Sequence, residues 1–176
     1  MVSGMRLIGL AGWSGAGKTN LLVRAIPVLV ARGVKVATIK HAHHDFDTDL
    51  PGKDSYEHRR AGASEVLVSS GRRWAQVHEL RDEEEATLGQ LLQRISPCDL
   101  IIVEGYKREP IPKIEVHRAG NGRPPIHPLD TTIVGIASDV AFPTSGIPVV
   151  DLNDAEAVTG LMLDVAVSFE DVLGRL

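Results

Sequence analysis

The sequence predicts an α/β fold, a three-layer sandwich with a mostly parallel sheet and an antiparallel hairpin or edge. Three observations predict it. An apolar run (6–11), a helical pattern (18–32) and a second apolar run (34–40) follow one another as strand, helix and strand, which implies a parallel, right-handed crossover. A further run, 99–104, has the continuous hydrophobicity of a central strand buried on both faces. Two β-rich runs, 65–69 and 73–80, meet at Ser70-Gly71-Arg72, which signals a hairpin.

The first strand is RLIGLA, short and apolar. The helix after it carries Leu21, Leu22, Ala25, Val28 and Leu29 at helical spacing, with Gly33 where a C-terminal cap belongs. Pro27 lies inside that pattern and should kink it. A short helix is expected over 54–61, capped by Asp54 or Ser55, and a longer one over 83–95. Residues 108–130 are rich in proline and glycine, with one strand at 113–117; so long an irregular segment is usually a functional loop or a partner surface. Strands at 131–137 and 149–150 follow, then a terminal helix over 154–167, capped at Asn153 or Asp154.

The chain has 176 residues, 43% of them hydrophobic, which fits a single compact domain (1–176) with a substantial core. A formal net charge of −4 argues against a general nucleic-acid binder, which carries a basic face. The single cysteine, Cys98, permits no intrachain disulfide and reads as a buried inert thiol. No secretory signal is visible, and nothing approaches the ~20 apolar residues of a membrane-spanning helix. The expectation is a soluble cytoplasmic protein.

The chemistry concentrates in Gly12-Trp13-Ser14-Gly15-Ala16-Gly17-Lys18-Thr19, which matches G-x-x-x-x-G-K-[ST] without a gap. Its glycines let consecutive N–H groups point inward as an anion-binding nest, and the helix that opens at Lys18 adds unpaired amides and the positive end of its dipole. Lys18 should reach the β- and γ-phosphates, and the Thr19 hydroxyl should bind Mg²⁺. The strand before and the helix after supply the context this motif requires. This is the P-loop NTPase arrangement, and the expected ligands are a purine nucleotide, GTP foremost, and Mg²⁺.

The metal also needs an acid. Asp99 and Glu104 bracket the run LIIV, and ligands of open α/β sheets bind beyond the carboxyl ends of the strands. Five strand residues span about 16 Å, so Asp99 falls at the far edge. Glu104 is the metal-side acid, directly or through a water.

Directly after the second strand stands His41-Ala42-His43-His44-Asp45-Phe46-Asp47-Thr48-Asp49. It could hold a transition metal, contact phosphate, Mg²⁺ or a second anionic ligand, or be a solvated polar loop. Ser55, His58 and Arg59 lie on adjacent turns of the short helix and could approach one anion together, or form an ordinary exposed basic face. The N-K-x-D signature of common GTPases is absent. Asp139, in Ala137-Ser138-Asp139, sits where a carboxylate could accept from guanine N1–H and the 2-amino group, or serve as a strand-end turn residue.

Three stretches together, LAGWSGAGKT, TIKHAHHDFDTDLPGKDSYEHRRAGA and LIIVEGYKREPIPKIEV, resemble the MobB family of molybdopterin-guanine dinucleotide biosynthesis adapter proteins. The resemblance covers roughly 6–116 and continues more weakly to Asp139. It implies a GTP-binding homodimer, at most a weak GTPase, that assists the guanylyltransferase joining GMP to molybdopterin. By that analogy Gly15, Gly17, Lys18 and Thr19 hold phosphates and Glu104 occupies the acidic position of the metal site. The histidine-rich loop, with His41 and His43, and Asp54-Ser55 would lie near the nucleotide or molybdopterin. A second reading is a small-molecule kinase, which uses the same loop for phosphoryl transfer; Arg108, Arg118 and Arg123 could imitate its arginine lid, but they are spread through a proline-rich loop.

Overall fold

The computed structural model describes residues 4–42 and 46–176. In chain order its elements are β1 (Arg6–Ala11), α1 (Lys18–Ala31), β2 (Val36–Lys40), α2 (Asp54–Arg60), β3 (Glu65–Ser69), β4 (Trp74–His78), α3 (Leu88–Leu92), β5 (Leu100–Glu104), β6 (Lys113–His117), a 3-10 turn (Ala119–Asn121), β7 (Ile133–Ser138), β8 (Val149–Asp151), α4 (Ala155–Val165), β9 (Val167–Ser168) and α5 (Phe169–Leu173). A single domain is the sequence expectation; the chain divides into two compact units. One holds the chain up to His41 together with Leu88–Leu176, and the other is Ala42–Thr87.

The first unit is built on a sheet of order β2-β5-β1-β6-β7-β8. Every neighbouring pair along that path is parallel, while β9 pairs antiparallel with β1. The expected β1-α1-β2 crossover is therefore wide, with β5 inserted between its two strands.

Alternate residues of the central strands feed two cores. Ile8, Leu10, Leu100 and Ile102 pack with Leu21, Ala25 and Leu29 of α1 and Val158 and Met162 of α4. Leu7, Ile101 and Val103 pack with Leu88 and Leu92 of α3 and Val172 of α5. Helices thus cover both faces of the sheet, as a three-layer sandwich requires. Burying each leucine of this kind contributes about 1.5–3 kcal/mol.

α1 stays helical through Pro27. The carbonyl deprived of its amide partner is that of Val23, a solvent-exposed residue, where water can replace the lost bond. At the other end Gly33, at φ 79°, lets its own N–H reach the Val30 carbonyl and the Val34 N–H reach the Leu29 carbonyl. That is a Schellman closure.

The second unit contains α2 and a two-stranded sheet, β3 with β4, so the hairpin forms a sheet of its own. Its turn is held by the Ser70 N–H on the Arg73 carbonyl at 2.9 Å.

Several expected boundaries move. The helix expected over 83–95 is only Leu88–Leu92. Glu83, Glu84 and Glu85 have no basic partner four residues on to support a helical turn, and Leu88 and Leu92 supply its buried anchors. The cap of α2 is Lys53, with no side-chain bond to the helix, whereas Asp154 caps α4 through the Ala157 N–H at 3.0 Å. Cys98 is buried, and burial pushes its thiol pKa up.

Candidate functional site

The Gly12–Thr19 loop leaves β1 at the carboxyl edge of the sheet and enters α1 at once. Gly12, Gly15 and Gly17 take φ values of 152°, 81° and 91°, a region open to glycine and costly for other residues. The N-terminus of α1 has no side-chain cap and no acidic residue in its first turn. Its leading amides are left for an anion. Lys18 folds back over the loop, its Nζ donating to the Gly12 carbonyl at 3.0 Å and the Trp13 carbonyl at 3.2 Å. Burial lowers its pKa; Glu104 opposes that shift, and Lys107 and Lys40 add to it.

Glu104 ends β5 beside β1, in register with Leu10 and with Lys40 of β2. It is 8% exposed. Its charge acts on Lys18, so this carboxylate belongs to the same edge as the loop. Asp99 lies at the opposite end of β5, where its carboxylate accepts the Lys35 N–H at 2.7 Å. The His41 N–H donates to the Glu104 carbonyl at 2.9 Å, and the His41 ring meets Tyr106 at 5.3 Å between centroids. His41 is therefore fixed at this edge.

The proline- and glycine-rich segment expected to be a functional loop or a partner surface forms a strap against the glycine loop. All of β6, KIEVH, is buried, although Lys113, Glu115 and His117 fall on its polar face. Glu115, fully buried, accepts the N–H of Ile126 at 2.7 Å and of His127 at 2.8 Å. Lys113 donates to the Glu109 carbonyl and Thr132 Oγ1, both at 2.7 Å.

Between these anchors the strap reaches the glycine loop. Asn121 Nδ2 donates to the Ser14 carbonyl at 3.0 Å, and Trp13 Nε1 donates to the Pro124 carbonyl at 2.8 Å. The Trp13 ring, 39% exposed, has Lys107 Nζ at 5.7 Å and the Arg123 guanidinium at 5.8 Å from its centroid. The sequence signals for this strap are its length and its proline and glycine content, neither of which names Trp13 or Ser14 as its partners.

Asp139 follows β7. Its Oδ1 accepts the Ala119 N–H at 2.8 Å, and its Oδ2 lies 3.5 Å from Arg118 Nη1. It also lines a cleft of about 430 Å³ with Phe142 and Val150. Phe142 meets the His117 ring edge-on at 5.1 Å.

The model of the MobB family, described as molybdopterin guanine dinucleotide synthesis protein B, matches residues 7–139. This chain belongs to the MobB family. It is 46% identical over 161 residues to the molybdopterin-guanine dinucleotide biosynthesis adapter protein of Escherichia coli K12, covering 90% of this chain and 91% of that protein. It is 40% identical over 135 residues to the Haemophilus influenzae protein of the same name, covering 76% and 74%. A crystal structure of molybdopterin-guanine biosynthesis protein B superposes with a TM-score of 0.72 at 25% identity, over 90% of this chain and 97% of that one. The Bacillus subtilis MobB structure, at 20% identity, shares the fold with a TM-score of 0.69 over 91% and 97%.

The MobB match spans the glycine loop, Glu104, Arg118 and Asp139 and stops before β8. Of the other expected site residues, His43 lies outside the described residues. Asp54, Ser55 and Arg59 belong to the second unit, where Asp54 and Ser55 open α2. The guanidinium of Arg59 is engaged by carboxylates: Asp47 at 2.8 Å, Glu79 at 2.6 Å, and Asp49. Arg59 holds the Asp49 carboxyl below the usual carboxylate range, with burial opposing and a Ser55 hydrogen bond reinforcing. As an anion ligand Arg59 would have to leave three acidic partners; neither reading of Ser55, His58 and Arg59, an anion cradle or an exposed basic face, anticipates this internal ion cluster. Among the described residues no group of three histidine, cysteine or acidic side chains is arranged to hold a metal. No described helix is long and apolar enough to cross a membrane.

Proposed function

We propose that this MobB-family chain is a GTP-binding adapter in molybdopterin-guanine dinucleotide synthesis. In this reading it holds GTP with Mg²⁺ at the Gly12–Thr19 loop and assists the guanylyltransferase that joins GMP to molybdopterin, working as a homodimer whose own GTP hydrolysis is weak. The observation that carries the nucleotide reading is the glycine loop: three left-handed glycines, an uncapped α1 and Lys18 folded over the nest. The adapter role draws on the names of the Escherichia coli and Haemophilus influenzae relatives.

Thr19 and Glu104 fit Mg²⁺, because both offer hard oxygen donors. Glu104 sits at the loop's edge of the sheet, and the Thr19 side chain is exposed on the first turn of α1. The ion supplies charge neutralisation for the phosphates when bound. Glu104→Gln should weaken the Mg²⁺-dependent part of GTP binding about 10-fold and spare metal-free binding, whereas Asp99→Asn should do neither. Calorimetric titrations with and without Mg²⁺ check this; a larger defect in Asp99→Asn reverses the assignment.

Base reading falls to Asp139. Adjacent strands are about 4.8 Å apart, so β7 stands about 10 Å from β1 across β6, a separation that a sugar and purine bridge. The test of the whole reading is a reconstituted transfer assay. Added to guanylyltransferase and molybdopterin at limiting GTP, the protein should raise the yield of guanine dinucleotide and show no acceptor-dependent turnover alone. Turnover at ordinary kinase rates, ~1–100 s⁻¹, with a small-molecule acceptor would replace the adapter by a kinase.

A further inference from the structure

Arg118 is the residue whose position the sequence motifs do not explain. It follows β6 directly and is 37% exposed at the side chain. A methyl group added at Gly17 would stand 3.8 Å from its Nη2 and 3.9 Å from its Nε. Its guanidinium therefore packs against the last glycine of the loop, beside the uncapped amides of α1. On the other side Nη1 faces Asp139 Oδ2 at 3.5 Å.

That distance exceeds the 2.7–2.9 Å of a tight charge-assisted bond, and both side chains are partly exposed, so the pair contributes little and is easily exchanged for another partner. Asp139 keeps a second tie, the Ala119 N–H on Oδ1, which holds the carboxylate in place when Arg118 leaves. Arg118 Nη1 thus faces the carboxylate while Nη2 flanks the nest, and a planar guanidinium binds phosphate through the same donors that it offers a carboxylate.

We propose that Arg118 is a cation shared between the nucleotide phosphates and Asp139, so that phosphate binding draws it off Asp139 and releases that carboxylate to the purine base. The inference rests on the nucleotide-binding reading above and adds a coupling within it. A nucleoside without phosphates meets an Asp139 still masked by Arg118. A triphosphate meets an Asp139 whose Oδ2 is released to guanine, while Oδ1 keeps the Ala119 N–H and has its second lone pair for the neighbouring guanine donor. Selectivity for guanine then depends on phosphate, although the two contacts lie on different strands.

The experiment compares two ratios in a competition assay against a fluorescent GTP analogue. GTP over ITP and guanosine over inosine both read the 2-amino contact, because inosine lacks that group. In the unaltered protein the GTP/ITP preference should exceed the guanosine/inosine preference by about 10-fold, one charged hydrogen bond's worth. In Arg118→Ala the two preferences should become equal, while GTP affinity falls about 10-fold. Arg118→Lys, which keeps the charge, should recover much of the affinity. Equal ratios in the unaltered protein, or an Arg118→Ala loss identical for GTP and guanosine, overturn the coupling while leaving nucleotide binding intact. Failure of the unaltered protein to bind GTP at all overturns both.

Discussion

Lys18→Ala should lower GTP affinity about 10- to 100-fold and leave the fold standing. In the structure Nζ caps two carbonyls of its own loop, Gly12 and Trp13, so without nucleotide the cation partly neutralises the loop rather than the core. Burial and the nearby Lys107 and Lys40 disfavour its charge, and Glu104 favours it. A cation held in that balance gains most when phosphate oxygens arrive. Hydrogen bonds to charged groups contribute about 1.5–3 kcal/mol, which is the stated range in affinity at about 1.4 kcal/mol per factor of ten. The Trp13 carbonyl contact is exposed and the Gly12 one only part-buried, so water can replace much of what the substitution removes and the melting temperature should move by no more than about 4 °C. Calorimetry with GTP and a thermal melt measure the two quantities separately. Unchanged affinity would remove the loop as the phosphate site; a collapsed melt would make Lys18 a structural residue.

The parts of the molecule legible in the sequence are those whose signal is local. β1 and β6 fall at the residues their apolar and alternating runs delimit, and α1 ends on the glycine that its cap demands. Glu104 at the loop edge and Asp99 at the far end follow from strand direction alone. What escaped depends on partners distant along the chain. Val167 and Ser168 are two residues with no period of their own, yet they pair with Leu7 and Arg6 and turn the chain into α5.

The alternation of β6 does not reveal that its polar residues are buried, with the amides of Ile126 and His127 on Glu115. Gly9 has a similar explanation. A side chain there would begin 2.9 Å from Lys113 Cγ, so the glycine in RLIGLA makes room for a buried lysine on the neighbouring strand. The spacing of Arg59 on α2 leaves open an anion ligand or an exposed basic face; in the structure its charge is answered by Asp47, Asp49 and Glu79, whose proximity no helical period could reveal.

Gly12→Ala should destabilise the protein by about 2–6 kcal/mol, the sum of two separate penalties of about 1–3 kcal/mol each. The first is conformational: φ at Gly12 is 152°, where an L side chain is strained. The second is steric, since a Cβ there would stand 2.7 Å from the Val116 carbonyl oxygen. Val116 is in β6, whose parallel pairing with β1 carries the loop, so that backbone cannot yield without disturbing the sheet. The Gly12 carbonyl also receives Lys18 Nζ, and any shift that relieves the clash misplaces the cation that should meet phosphate. The melting temperature should therefore fall by about 5–20 °C, with GTP binding lost along with it. Gly120→Ala is the control: nothing lies within 4 Å of its added Cβ and its φ is not positive, so the melt should stay within about 2 °C. A Gly12→Ala protein that melts like its parent would mean that the loop can be redrawn around a side chain, and the glycine nest would lose its physical basis.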